Sequence, residues 1–571
     1  MSLSSIPRTF SRSSARAPLL MRRNAKVKSA TRFFQSTLIA SVPSIQRRSQ
    51  ATQATAVKDL RDYTRPAYEN LQDVTPFETQ LEWSQVSPKR YEREVDAMER
   101  FYNLQESVTA HLGVHNWMMS NGIKIHSDSP TLIDDVKNAW IALRYKHPVL
   151  SSQIEDDRWV YDVPNQAELE RWLGETFFVH NTSKTSRELY PELQTRPLKK
   201  AVLHFLPQTQ EVLLQSPHTH MDGMGVMVWY DNFMQELVAP SLPVFGDEGK
   251  NLLPPLTPIA HIPQFSPAQK ERWDKNANEW LSDMPTIRLK SKSNDMPGKS
   301  TMKWLRFSES DTLKILGAVK KHGLSVSSAA QAAISLAARI HGGDLSKSSC
   351  ATIALYDARE YISPKYAHSD LVGPHTFATP IKFPLGTFVE TATIAKELFV
   401  SEKAGKYALS MSPYYTSEFP RLLTATPPPG ESRPSPSNAH LTSLGSLDRL
   451  FKAQYSGPAG SVELCDLWIA LDIMTPDMLV AIWTLNGQLT IQADYNEAFF
   501  SGVSIQQYLE LVKKQLEEGL EIELSPEMMK PGMEAYAPKA DIKRPYSSVQ
   551  RTGESPWESE PCKPLEGLQL A

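Results

Sequence analysis

Only three cysteines, Cys350, Cys465 and Cys562, occur in 571 residues, and they stand far apart. That scarcity excludes a disulfide framework and any CxxC metal or redox site, and it fits a reducing compartment. Long apolar runs are missing as well. The stretch from Gly323 to Ala338 comes nearest, but Ser and Gln interrupt it, so no membrane-spanning segment is read. Neither sign of charge dominates: Lys+Arg 61 against Asp+Glu 64 leaves a net charge of -3, with no basic stripe interleaved with aromatics beyond the leader. Nucleic acid is therefore not expected as a partner. The sharpest absence is local. No acid occurs from Met1 to Lys58, where Arg8, Arg12, Arg16, Arg22, Arg23, Arg32, Arg47 and Arg48 stand among many serines. An acid-free, Arg- and Ser-rich leader has the composition of an organellar transit peptide, and "TRFFQST" (Thr31 to Thr37) resembles a mitochondrial processing site. Mitochondrial import is the expectation for residues 1–58, with a disordered basic tail on a cytoplasmic protein as the alternative.

What is present is a chain that is 41% hydrophobic and 22% charged, enough to bury a large core divided between two lobes. Leu132, Val136, Ala139, Trp140 and Leu143 recur at helical spacing behind Ser129 and Thr131 and end before Pro148. "RWVYDV", "KAVLHFL" and "EVLLQSPH" carry strand formers, and "VMVWYDNFMQEL" is apolar at positions three and four apart. A proline-rich crossover follows. Then come a strand ("TMKWLRFS"), two helices ("SDTLKILGAVKKHG" and the small-residue "SVSSAAQAAISLAARI") and a strand ending in charges ("CATIALYDARE"). "DLWIALDIM" and "QLTIQADYN" read as antiparallel neighbours around "LNG". The expected organisation is a leader over 1–58, an N-terminal lobe over 59–240, a crossover over 241–300, a C-terminal lobe over 301–525 and a disordered tail over 526–571. The class is α/β (α+β), with a site between the lobes.

The chemistry concentrates in "SPHTHMDGMGV", Ser216 to Val226, between a strand end and a helix start. Three readings compete for it. His218, His220 and Asp222 are zinc-type ligands, similar to the HxHxDH cluster of metallo-β-lactamase-like hydrolases. Gly223 stands where that cluster has its next His, however, and no series of downstream ligands follows. The second reading is structural: a His at a strand end bonds a carbonyl, and Asp-Gly makes a turn. The third is general-base catalysis by a neutral imidazole.

His218-Thr219-His220-Met221-Asp222-Gly223 is HxxxDG, and with it the sequence resembles the CoA-dependent acyltransferase superfamily, which includes the plant BAHD enzymes and peptide-synthetase condensation domains. "ALRYKHPVL", "RPLKKAVL" before the motif, "HGLSVSSAAQAAI", "YDARE", "SLGSLD" and "ADYNEAFFS" extend the resemblance from about Leu132 to Leu516. It is nearest to fungal members of the trichothecene 15-O-acetyltransferase type. The DFGWG segment of the plant enzymes is absent, and the region reads "ELCDLW".

The resemblance implies a two-lobed chloramphenicol-acetyltransferase-like fold with an active-site tunnel between the lobes. It implies an acyltransferase for groups other than aminoacyl groups, with no bound cofactor or metal and with acyl-CoA, acetyl-CoA above all, as co-substrate. The other partner is a small-molecule alcohol of secondary metabolism, and a trichothecene-type alcohol is one candidate. His218 is implied as general base. Asp222 is implied as half of a structural ion pair whose partner is Arg359 of "YDARE". Gly223 serves the turn into the helix, and Ser443 of "TSLGSLD" is a candidate oxyanion or tunnel residue. A monomer is expected. The alternatives are a condensation-like activity on a carrier-protein thioester and a noncatalytic ligand-binding scaffold.

Overall fold

Two sheets carry most of the apolar strands. The structure is a computed structural model describing residues 81–528, except 108, 195–197, 242, most of 263–286, 293–295, 405–407, 415–437 and 526. The basic leader, its processing-site reading, the Pro/Ser-rich segment at 425–437 and everything past 528 lie outside the described residues.

The first sheet has six strands in the spatial order Gln454–Gly457, Gly460–Leu471, Met119–His126, Glu211–Ser216, Val202–Leu206 and Phe177–Val179. Neighbours are antiparallel except the last pair. The second sheet has five: Ala439–Ser446, Met478–Leu485, Gln488–Asn496, Ser300–Arg306 and Glu527–Met528. Only its first pair is parallel. A hairpin of Ser349–Asp357 with Thr376–Pro384 belongs to the second lobe by its contacts with the strand Ala439–Ser446.

The helix Leu132–Lys146 buries Val136, Ala139, Trp140 and Leu143, the residues at the apolar spacing of its sequence, and ends at His147 before Pro148. It packs on the helix Gly223–Val238, where Trp140 meets Trp229 edge-on at 5.8 Å. Across the second lobe the helix Val326–Gly342 buries six alanines along its length. Such small side chains admit close packing, and the helices Phe388–Ala404 and Gly502–Leu520 both lie against it, with Tyr508 Oη donating to the Ile334 carbonyl. Ser325 opens that helix with a capping box, accepting from the backbone of Ser328.

One pairing differs from the expectation. The partner of Gln488–Asn496 across Asn486 and Gly487 is Met478–Leu485, not "DLWIALDIM". The two turn residues have φ of 53° and 71°, the left-handed pair that a tight hairpin requires. "MLVAIWTL" is nearly all apolar because it is covered on both faces, so it lacks the alternation that marks a half-buried strand. "DLWIAL" instead completes Gly460–Leu471, which leaves the second lobe and pairs with Met119–His126 in the first. The residue ranges of the two lobes therefore follow chain order, while the sheets exchange a strand. Leu464, Leu467 and Ile469 of this crossover strand pack in the same core as Trp140, Trp229 and Trp483. The second sheet also continues to Glu527 and Met528, just past the expected lobe limit.

Candidate active site

The strand Glu211–Ser216 runs through the middle of the first sheet and delivers the motif at its end. Pro217 cannot continue the ladder as a donor, and the chain turns, with His220 N–H bonded to the Pro217 carbonyl. Asp222 then caps the helix Gly223–Val238, its Oδ1 accepting from Gly225 N at 2.6 Å. A carboxylate at this position satisfies an orphan amide and meets the positive end of the helix dipole.

The same carboxylate faces the second lobe. Arg359 Nη2 donates to Asp222 Oδ1 at 2.8 Å and Nη1 to Oδ2 at 3.1 Å, while Thr376 Oγ1 donates to Oδ2 at 2.5 Å. Arg359 spends its other N–H groups on Asp357 and on the carbonyls of Leu371 and Gly373, so all five donors are used. Both partners are buried. Burial alone would raise the Asp222 pKa, but the Arg359 guanidinium and the Thr376 hydroxyl hold it below the ordinary carboxylate value.

His218 projects from the turn four residues before Asp222. It is half-buried, its Nδ1 is buried with no hydrogen-bond partner among the described residues, and the Tyr102 ring stacks on it at 3.9 Å and 9°. Burial lowers its pKa from the ordinary value, against the opposing pull of the Asp222 and Glu106 carboxylates. The imidazole is thus held neutral near pH 7 beside the junction of the lobes. Thr219, its neighbour, points N–H and hydroxyl at Glu106, which also faces His115.

The trichothecene 15-O-acetyltransferase of Fusarium sporotrichioides shares the fold, with a TM-score of 0.65 at 16% identity over 78% of this chain and 99% of that one. No family model matches the chain. Curated relatives do: the O-acetyltransferase pigM of Monascus ruber is 26% identical over 471 residues, 78% of this chain and 89% of that protein. The acetyltransferase pigO of the same fungus is 23% identical over 76% of this chain and 97% of its own length. The fold and these relatives are consistent with the CoA-dependent acyltransferase superfamily that the sequence resembles. The chain is an acyltransferase for groups other than aminoacyl groups, built on the chloramphenicol-acetyltransferase-like fold.

In this acyltransferase two of the zinc-type trio, His220 and Asp222, are committed elsewhere. His220 is buried, its Nε2 at 3.0 Å from the Ser152 carbonyl and its Nδ1 at 3.1 Å from Thr219 Oγ1, and burial pushes its pKa down to about 4. Asp222 is saturated by Arg359, Thr376 and Gly225. Among the described residues no cluster of His, Cys, Asp and Glu is arranged to hold a metal, and no helix is long and apolar enough to cross a membrane.

Gly223 and Ser443 stand differently from their expected places. Gly223 has no left-handed backbone, and a Cβ there would meet only the flexible Leu444 side chain, at 3.2 Å. The demanding glycine is Gly225, where a Cβ would fall 2.1 Å from the Val372 carbonyl oxygen and 3.1 Å from Arg359 Nη2. Ser443 lies on the strand Ala439–Ser446, exposed, its hydroxyl 2.9 Å from that of Ser327. No contact joins it to His218 among the described residues. The stretch His368 to Phe377 is wrapped around the ion pair through Leu371, Gly373 and Thr376. Sequence reasoning missed Gly225, Thr376, Tyr102 and Glu106. Of these only Gly225 carried a local signal, the second glycine of "DGMG".

Proposed function

We propose that the protein is an acyl-CoA-dependent O-acyltransferase, by preference an O-acetyltransferase, that esterifies a hydroxyl of a fungal-type secondary metabolite. The observation that carries this reading is the Asp222–Arg359 pair, which fixes the motif turn from the opposite lobe, while burial keeps His218 uncharged, with its Nδ1 buried. The accessible side of the imidazole then carries Nε2, the atom placed to accept a proton. As the alcohol oxygen attacks the thioester carbonyl, its proton passes to Nε2. The tetrahedral adduct collapses by breaking the C–S bond, and the departing sulfur takes the proton back, giving the ester and free CoA. No acyl-enzyme forms, and holding both substrates together supplies much of the rate. Two substrates approaching through a tunnel between the lobes, with Ser443 beside it, complete the proposed arrangement.

The likeness to a trichothecene 15-O-acetyltransferase supports a trichothecene-type alcohol as one candidate acceptor. The leader is proposed to direct mitochondrial import, which a fluorescent fusion of residues 1–58 tests. Incubation of the full chain with acetyl-CoA and an alcohol panel, read by mass spectrometry for acetyl esters, tests the function. Ester formation from free acetyl-CoA, unaffected by chelator, is expected. Ester formation only from a carrier-protein thioester would move the assignment to a condensation-like enzyme.

A further inference from the structure

We infer that Phe101, Tyr102 and Trp117 form the wall of the acceptor site and that Trp117 selects flat, conjugated alcohols over saturated ones of the same outline. This rests on the acyltransferase reading of His218. Phe101 and Tyr102 lie on the helix Ala97–Ser107, and Trp117 lies just before the strand Met119–His126. The Trp117 ring is 5.7 Å from Phe101, 6.3 Å from Tyr102 and 6.4 Å from the His218 imidazole, which Tyr102 covers face to face.

Ordinary core packing does not account for this group. Tyr102 is buried, but Phe101 and Trp117 are only half-buried, with the Trp117 ring 6.4 Å from that of His218. Trp117 also has φ of 62°, a left-handed backbone that bulky residues rarely adopt. Such a conformation persists only where the surroundings fix it. Here the end of the crossover strand grips the turn on both sides. Trp117 N–H donates to the Asp472 carbonyl at 2.7 Å, and Asp472 N–H donates to the Met118 carbonyl at 2.8 Å. Met474 N–H donates to Asn116 Oδ1 at 3.0 Å. Glycine would meet this geometry without strain. What the strained position gains is an indole held beside the base, and its Nε1–H makes no hydrogen bond among the described residues, leaving a donor for an acceptor oxygen.

The partner of this wall follows from the chemistry of the two substrates. Next to the thioester the donor is a thread of methylenes and amides, and its adenine lies at the far end of the pantetheine arm. A ring system within reach of His218 therefore belongs to the acceptor. Aromatic faces favour flat π-systems through offset stacking.

The test compares naphthalene-2-methanol with its fully saturated decalin counterpart, using the full chain, Trp117→Ala and Trp117→Phe. Affinity is read by calorimetry and turnover by thiol release from acetyl-CoA. The wild type is expected to bind the flat alcohol about tenfold more tightly, a difference of about 1.4 kcal/mol. Trp117→Ala should bring the two affinities within about twofold, while Trp117→Phe keeps most of the preference, each variant melting cooperatively by circular dichroism. The KM for acetyl-CoA should stay at its wild-type value in both variants. An unchanged preference in Trp117→Ala, or a loss seen as a raised KM for acetyl-CoA, overturns the inference. Failure of the catalytic reading shows separately, as selective binding without thiol release.

Discussion

Arg359 and Asp222, 137 residues apart in the chain, meet through two hydrogen bonds of 2.8 and 3.1 Å with both side chains buried. The carboxylate that caps the motif helix in the first lobe is thereby held by a guanidinium from the second. The turn that carries His218 is thus tied to the second lobe by this pair, alongside the crossover strand Gly460–Leu471.

Breaking that pair should be costly. Arg359→Ala leaves the Asp222 carboxylate buried among neutral donors and strips partners from the Leu371 and Gly373 carbonyls. A loss of about 3–5 kcal/mol in urea unfolding is expected, the range for one orphaned partner of a buried pair. Arg359→Lys should recover only part of it, because an ammonium cannot span both carboxylate oxygens.

The two glycines of "DGMG" should respond in opposite order to their prominence in the motif. Gly223→Ala needs only a shift of the Leu444 side chain, and alanine suits the first turn of a helix, so a change within about 1 kcal/mol is expected. Gly225→Ala drives a methyl into the Val372 carbonyl, and about 1–3 kcal/mol of destabilisation should follow, with activity lost in step. Denaturant melts of the two variants side by side check this.

The pH dependence of turnover follows from the environment of His218. Burial lowers its pKa, while Asp222 and Glu106 pull the other way and His115 faces Glu106. The base form should then prevail at pH 7, so kcat/KM is expected to be level from neutrality upward and to fall only in acid, with a midpoint below 6.5. A midpoint above 7 would contradict the assigned environment.

Stability should fall on both sides of an intermediate pH. Burial pushes His147, His204 and His375 down to about 3, so the unfolded chain takes up protons that the native state refuses. Their contribution is complete above about pH 6.5 and is lost as the pH falls. Asp472 behaves in the reverse sense: burial raises it to about 7, and buried Asp494, whose Oδ2 has no partner among the described residues, is raised too. Their contribution is complete below about pH 4 and is lost as the pH rises to 7 and beyond. Asp494→Asn, which can still accept from Gln492, should stabilise the fold at pH 8 by about 1–3 kcal/mol and make little difference at pH 5.

The motif was legible because its parts are local. A strand end, a proline, a histidine and a capping aspartate fall within seven residues, and the helix that follows shows its apolar face. Arg359 was reachable only through the resemblance, since nothing within "YDARE" says that its partner lies 137 positions earlier. Phe101, Tyr102 and Trp117 left no such trace, because nothing in their local sequence says that the fold stacks Tyr102 on an imidazole and brings the other two rings against Tyr102. Met478–Leu485 escaped for the opposite reason: burial on both faces erased its period, although the Asn486-Gly487 turn marked where a hairpin had to be. Parallel pairing with Met478–Leu485 draws Ser443 into a sheet, a long-range contact that "TSLGSLD" alone does not announce.

The central claim is that His218 is the base of an acyl transfer, and thiol release from acetyl-CoA tests it most directly. The full chain and His218→Ala are compared with the same alcohol panel and matched for folding by circular dichroism. Acceptor-dependent release by the native protein that falls by about 100-fold or more in the variant is the predicted result, the scale of a lost general base. Equal release by the two proteins, or acceptor-independent release, would contradict it.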